Sequence, residues 1–302
     1  MNAHKILWPS IESMLPGDVP PYVDIHGILE DVLTLVTPPK SHSEFAKPSN
    51  ILLNGHHGLG KSLLAANVSK ELEKRTGLSV PMVTFDCSED TFELSLMGGS
   101  RVVAGGETPF VPGPFPTAIH LANETGLCVL CVEEISALTP GSQKVVNRLT
   151  DWRTGLYVPD ANQVFRLKEG SHLVLIATMN PSGYGGVYSL NDDLRSRFDE
   201  IHVKFPAPKQ EAKILRVRCP FADRGIIDQA IRMAADSRSR ATEYSLSTRD
   251  LVRFISNAHR LRDRPQGLDF ALEMIANKFE GSDRDTMVDR IKATFDIKLD
   301  VS

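Results

Sequence analysis

Cysteine is scarce: four in 302 residues. That is too few for the disulfide framework of a small secreted module, so a reducing compartment and a cytoplasmic location are expected. Long apolar runs are missing too. The longest, Leu127-Cys128-Val129-Leu130-Cys131-Val132, falls far short of the ~20 residues a membrane helix needs. The opening Met1-Asn2-Ala3-His4-Lys5 has no long apolar core and no small-residue cleavage site, so no signal peptide is expected. Charge of one sign does not dominate, with 34 Lys+Arg against 38 Asp+Glu and a net charge of −4. A dedicated duplex-binding protein is thereby disfavoured, although a local basic channel is not excluded. Repeats and low-complexity tracts are absent. What remains is globular material, 41% hydrophobic and 24% charged, which excludes disordered, collagen-like and coiled-coil chains. Its length allows two domains.

Residues 1–49 are Pro-rich, with one predicted helix from Ile25 to Val36 ended by Thr37-Pro38-Pro39. Short apolar runs then predict strands at Ile51–Leu53, Met82–Phe85, Cys128–Val132, Val174–Thr178 and Ile201–Lys204. They are separated by helix-length segments, one of them Leu63 to Arg75. Such runs suit a parallel sheet covered on both faces, hence an α/β fold. Two hairpins interrupt the alternation. One turns at Gly105-Gly106 between Arg101 and Val111; the other turns at Pro159–Asn162 between Leu156 and Leu167. In the first, Val102, Val103 and Phe110 are expected to be partly exposed. From Gln210 to Phe295 the apolar spacing is helical, as at Leu251, Phe254, Ile255 and Ala258. The expected organisation is an N-terminal segment at 1–49, an α/β core at 50–207 and a helical domain at 208–302.

Gly55-His56-His57-Gly58-Leu59-Gly60-Lys61-Ser62, followed by Leu63, fits G-x-x-x-x-G-K-[ST] between a strand and a helix. Glycines let consecutive N–H groups turn inward around a phosphate, and the helix start adds its positive dipole end. Lys61 is expected at the β- and γ-phosphates and the Ser62 hydroxyl on Mg²⁺. His56 and His57 are adjacent loop residues without Cys or carboxylate at ligand spacing, which argues against a metal pair. The apolar strand ending in Glu133-Glu134 resembles a Walker B element. There one carboxylate (Glu133) holds the Mg²⁺ shell and the second (Glu134) orients or deprotonates the attacking water. Cys128 and Cys131 lie inside that strand and read as two buried thiols. At the next strand end, the Asn180 amide can bond the γ-phosphate or the water without changing its protonation. Arg195 and Arg197 follow on a short helical segment, either surface arginines or a cation that neutralises a transferring phosphoryl group. Arg249, in Ser247-Thr248-Arg249 of the helical domain, can fold back onto the nucleotide.

Taken in order, these elements resemble the AAA+ ATPases, and within them the MoxR group and its CbbQ/NorQ branch. The finer resemblance rests on Phe110–Phe115, Leu149-Thr150-Asp151-Trp152-Arg153, the Tyr157–Phe165 hairpin, Ile176–Pro181 with Tyr184, Leu190–Phe198, and Ser247–Leu251 with the tail to Phe295. It covers about residues 20 to 296. It implies an AAA+ P-loop core with a parallel sheet and two β-hairpin insertions, followed by a small helical lid. It also implies ATP hydrolysis with Mg²⁺ and a homo-oligomeric, usually hexameric, ring. The first hairpin would face the pore. Arg197, with Arg195 the lesser candidate, would act in trans on a neighbour's nucleotide. Such ATPases work as chaperone-like motors on a client enzyme, often inserting or releasing a cofactor, commonly with a von Willebrand factor A domain partner. The chain departs from the pattern at Glu133, where Asp is usual; the extra methylene bears on hydrolysis rate more than on binding. Two other functions are open to the same core, a nucleic-acid-stimulated motor and a slow-turnover ATP-binding scaffold. The first hairpin argues against nucleic acid: its one basic residue, Arg101, is opposed by Glu107.

Overall fold

A computed structural model describes residues 5–15, 17–38, 48–103, 105–150, 155–181, 188–239 and 244–295. Met1–His4, Pro39, Asp151–Arg153 and Tyr184, all named above, lie outside these residues. The chain forms two compact units: residues 1–55 with 61–203, and residues 56–60 with 204–302.

The first unit is built on a five-stranded sheet. Its strands are β1 (Ile51–Asn54), β2 (Met82–Asp86), β5 (Leu127–Glu133), β8 (His172–Met179) and β9 (Asp199–His202), in the order β2-β5-β8-β1-β9. All four neighbouring pairs are parallel. Parallel strands need covered faces, and period-2 alternation sorts the apolar residues between them. Cys128, Leu130 and Val132 join one large apolar cluster with Phe115, Ala118 and Ile119 of α5 (Pro114–Thr125). The intervening Val129 and Cys131 are equally buried outside that cluster. Helix α3 (Lys61–Thr76) packs against β5 and β8 through an inward row of Leu64, Ala65, Val68 and Leu72. It ends where Gly77, at φ 71°, donates its N–H to the Glu73 carbonyl.

The N-terminal segment joins this unit. It contains α1 (Ile11–Met14) and α2 (Ile28–Val36); the latter starts three residues later than expected because Gly27, at φ 74°, caps it. Asn67 on α3 pins the segment, accepting from the Tyr22 N–H at 3.2 Å and donating to the Pro20 carbonyl at 3.1 Å.

Both hairpins are present. The first leaves α4 (Glu93–Met97) and pairs β3 (Gly98–Ser100) with β4 (Phe110–Pro112). Phe110 corrects an expectation: it is fully buried. Its N–H donates to the Lys5 carbonyl, its carbonyl accepts from the Leu7 N–H, and its ring lies beside Phe165. Val102, in contrast, is 77% exposed. After α6 (Pro140–Thr150), the second hairpin pairs β6 (Gly155–Val158) with β7 (Gln163–Arg166), burying Leu156 and Phe165 and exposing the opposed Tyr157 and Val164. A short helix, α7 (Asp192–Arg195), precedes β9.

The second unit holds α8 (Pro208–Arg218), α9 (Arg224–Arg238), α10 (Thr248–Arg260), α11 (Gly267–Ala276) and α12 (Gly281–Phe295). It has its own core, including Leu215, Ile227, Met233, Phe254, Ile275 and Ile291. Among the described residues no helix is long and apolar enough to cross a membrane.

Candidate active site at the carboxyl ends of the strands

Ligands of open α/β sheets bind outside the carboxyl ends of the strands. Here β1, β5 and β8 deliver Gly55, Glu133-Glu134 and Asn180 to that edge. Gly55 donates its N–H to the Met179 carbonyl at 3.2 Å. A Cβ on Gly55 would stand 2.3 Å from the Val203 carbonyl oxygen, so no larger residue fits. The Lys61 ammonium donates to the Gly55 carbonyl and, at 3.0 Å, to Asn180 Oδ1. The Ser62 hydroxyl donates to Glu133 Oε2. Two hard oxygens therefore meet at the first turn of a sixteen-residue helix. That donor set suits Mg²⁺, which keeps waters and phosphate oxygens in its other positions. Leu63, next on α3, is partly buried and gives its carbonyl to Asn67 Nδ2 at 2.8 Å.

Glu134 has a conformation that the sequence did not announce. It is exposed and left-handed, at φ 54°, ψ 44°, a cost of order 1–3 kcal/mol for a non-glycine residue. Its N–H donates to the buried Thr178 hydroxyl at 3.2 Å, which holds the turn. Sequence reasoning missed Thr178. The available signal was one hydroxyl at the end of the apolar run Val174-Leu175-Ile176-Ala177.

Loop residues His56–Gly60 group with the helical unit. His56 stacks obliquely on Phe205 and His57 on Tyr244, with ring centroids 4.9 and 5.3 Å apart. Leu59 and Gly60 are partly buried. Gly58, at φ 72°, accepts from the Arg249 N–H at 3.3 Å, and a Cβ there would stand 2.2 Å from Ser247 Oγ. Ser247 caps α10 in a reciprocal box with Asp250, which also meets Tyr244 OH at 3.0 Å and Lys278 Nζ at 2.9 Å. Burial pushes the Asp250 carboxyl up, but the Ser247 and Lys278 contacts outweigh it, and the net direction is down. Among the described residues no group of three His, Cys, Asp or Glu could hold a metal.

The two arginines sit elsewhere. Asp199 pairs with Ile51, the first residue of β1, and the Arg197 carbonyl accepts from Asn50 Nδ2 at 3.0 Å. Arg197 is thus at the amino end of the sheet, one strand length from the cluster at Lys61. It lies past the end of α7 and pairs with Asp193 at 3.1 Å, while its buried Nε finds no partner. Arg195 is bound to Glu200 by Nε at 3.2 Å and Nη2 at 2.8 Å.

Residues 50–198 match the AAA domain of the dynein-related subfamily. The chain is 28% identical over 215 residues to the uncharacterized protein YojN of Bacillus subtilis, spanning 68% of this chain and 66% of that one. It is 27% identical over 202 residues to the uncharacterized protein SH1500 of Staphylococcus haemolyticus, spanning 66% and 72%. Among solved structures, it is similar to the Orc1 protein of Aeropyrum pernix in complex with DNA, at TM-score 0.54 and 20% identity, covering 88% of this chain and 69% of that one. That likeness shows the α/β AAA+ fold.

Proposed function

We propose, from the premise that residues 50–198 are an AAA domain and the protein an ATPase that takes ATP with Mg²⁺, that it is a ring-forming motor of the MoxR group, in its CbbQ/NorQ branch. The ring, hexameric in this reading, remodels or activates a client enzyme, with a von Willebrand factor A domain protein as partner. The observation that supports this is the pair of antiparallel hairpins, at 98–112 and 155–166, inserted into an otherwise parallel core.

Each site residue then has a task. The N–H groups of 56–60 and the Lys61 ammonium hold the phosphates, and Ser62 and Glu133 hold Mg²⁺. Bound there, Mg²⁺ neutralises phosphate charge. The Glu134 carboxylate, projecting from its strained turn, accepts the proton of the attacking water. Asn180, fixed by Lys61, aligns that water with the γ-phosphate. Arg249, whose N–H donates to the Gly58 carbonyl, contacts the nucleotide. Arg197, facing away from its own site, serves the neighbour's.

A pull-down with Glu134→Gln in ATP tests the client reading. It is expected to retain client and partner together, and to release both in ADP. ATP turnover that rises with DNA or RNA and collapses with salt would instead indicate a nucleic-acid motor.

A further inference from the structure

The two units differ in charge. Residues 204–302 hold 19 of the 34 Lys and Arg but only 15 of the 38 Asp and Glu. Several of these cations line three cavities along α9. One, about 470 Å³, is lined by Phe221, Ile226, Leu268 and Arg264. The second, about 430 Å³, shares Ile226 and Leu268 with the first and adds Asp228 and Arg232. The third, about 390 Å³, shares Asp228 and Arg232 with the second and is walled by Lys209, Lys213, Arg216 and Arg224. Because adjoining cavities share walls, they form one groove, mixed at the Phe221 end, where Asp223, Arg262 and Arg264 join the apolar wall, and basic at the other.

Most cations of the basic end lack ion-pair partners among the described residues. Lys209, Lys213 and Arg216 lie at i, i+4 and i+7 on α8, all exposed. Arg224 is held at 3.7 Å by Asp228, the only carboxylate there. Lys209, Lys213, Arg216 and Arg232 make no ion pair with any described residue. Cations gathered this way repel one another until an anion arrives.

The other unit carries the converse surface. Residues Asp86, Glu89 and Asp90 are exposed and make no ion pair with any described residue. Just beyond them Phe92 is 61% and Leu94 63% exposed. The turn is rigidly made: the Thr91 carbonyl accepts from Ser142 Oγ at 2.7 Å, and the Ser88 N–H donates to Thr91 Oγ1 at 2.9 Å. An acidic knob with two apolar side chains is thus held in place before any partner arrives, which lowers the entropic cost of docking.

We infer that the groove along α9 receives the Glu89–Leu94 knob of a second copy of this chain, carboxylates toward Lys213 and Arg232, with Phe92 or Leu94 at the Phe221 end. The α9 stretch from Arg224 to Arg232 is about 12 Å long. The two surfaces are different patches of one chain, so the contact is head-to-tail and either closes into a ring or runs on as a filament. The inference deepens the ring reading and rests on it. Single-stranded nucleic acid fits the groove less well, because successive bases need aromatic platforms. Phe221 is the groove's one phenyl ring and is already against His259 at 4.4 Å.

The test is charge reversal read by sedimentation velocity of the full chain with ATP. Lys213→Glu with Arg232→Glu, and separately Glu89→Lys with Asp90→Lys, are each expected to weaken self-association at least ~30-fold, as like charges then face each other. Mixing the two variants, or combining all four substitutions in one chain, is expected to restore assembly. Recovery also shows that the variants fold. Wild-type-like assembly of both double variants would place the interface elsewhere and overturn the inference, while leaving the ring reading intact. Loss without recovery would overturn it too. A wild type that stays monomeric with ATP overturns both readings. Tighter binding of a labelled oligothymidine than of a labelled 86–97 peptide, abolished by Lys213→Glu with Arg232→Glu, would assign the groove to nucleic acid instead.

Discussion

The carboxyl and amino ends of the five-stranded sheet are made by the same strands, yet they treat charge differently. At the carboxyl end Lys61 is tied to Gly55 and Asn180, Ser62 to Glu133, and the Glu134 backbone to Thr178. These ties hold the groups at set positions, the kind of order that leaves little reorganisation for a reaction. At the amino end Arg197 is held by a single exposed carboxylate and leaves a buried N–H unused. One end fixes its polar groups against one another; the other leaves Arg197 with one ion pair and an unused N–H.

The largest expected effect breaks the comparison at its amino end. Arg197→Ala should bind ATP as the wild type does, measured with a fluorescent ATP analogue, yet hydrolyse ~10³–10⁵-fold more slowly, the range for a lost trans arginine. Mixing it with Lys61→Ala, which should not bind ATP, is expected to restore part of the activity, because one interface per pair keeps an intact loop and an intact arginine. Unchanged turnover in Arg197→Ala would assign the trans cation to another residue. At the carboxyl end, Glu134→Gln should hold ATP and slow phosphate release at least ~10²-fold, as expected for a lost general base. A near wild-type rate would reassign the base.

Thr178→Val sharpens the same end. A hydrogen bond of this kind contributes a net ~0.5–1.5 kcal/mol. If its loss falls on the barrier, turnover drops by up to about tenfold, with ATP affinity unaffected. The smallest effect concerns Glu200, which accepts from Asn54 at 2.7 Å and from Arg195. The Asn54 bond, opposed by burial and aided by Arg195, lowers its carboxyl below the usual range. Its stabilisation is therefore present above the unfolded value of about 4.3 and is lost as pH falls through the lower folded value. Glu200→Gln should flatten that acid limb in a thermal melt taken from pH 7 to 3. An unchanged limb would mean that Glu200 is not the group responsible.

Features carried by neighbouring residues were legible in the sequence: the phosphate loop, the strand ending on Glu133-Glu134 and the two hairpins each occupy a few consecutive positions. Contacts set by sheet order were not. Thr178 meets the Glu134 N–H only because β8 lies beside β5, and Asn180 meets Lys61 because β1 lies on the other side of β8. Phe110 was misjudged for the same reason. Alternation along its hairpin says nothing about Lys5 and Leu7, which arrive from the far N-terminal segment to cover it.

Cys87, Cys128, Cys131 and Cys219 are all buried. Burial raises the Cys87 and Cys128 thiols to about 12, Cys131 well above its ordinary value, and Cys219 above it too. Because only a thiolate attacks an alkylating reagent, these buried thiols are expected to react far more slowly with maleimides at neutral pH than an exposed thiol would. A single thiol introduced as Val102→Cys, at a side chain that is 77% exposed, becomes the preferred attachment point for a fluorophore or spin label. A label there reports whether the environment of the first hairpin changes when ATP is added, in an otherwise native chain.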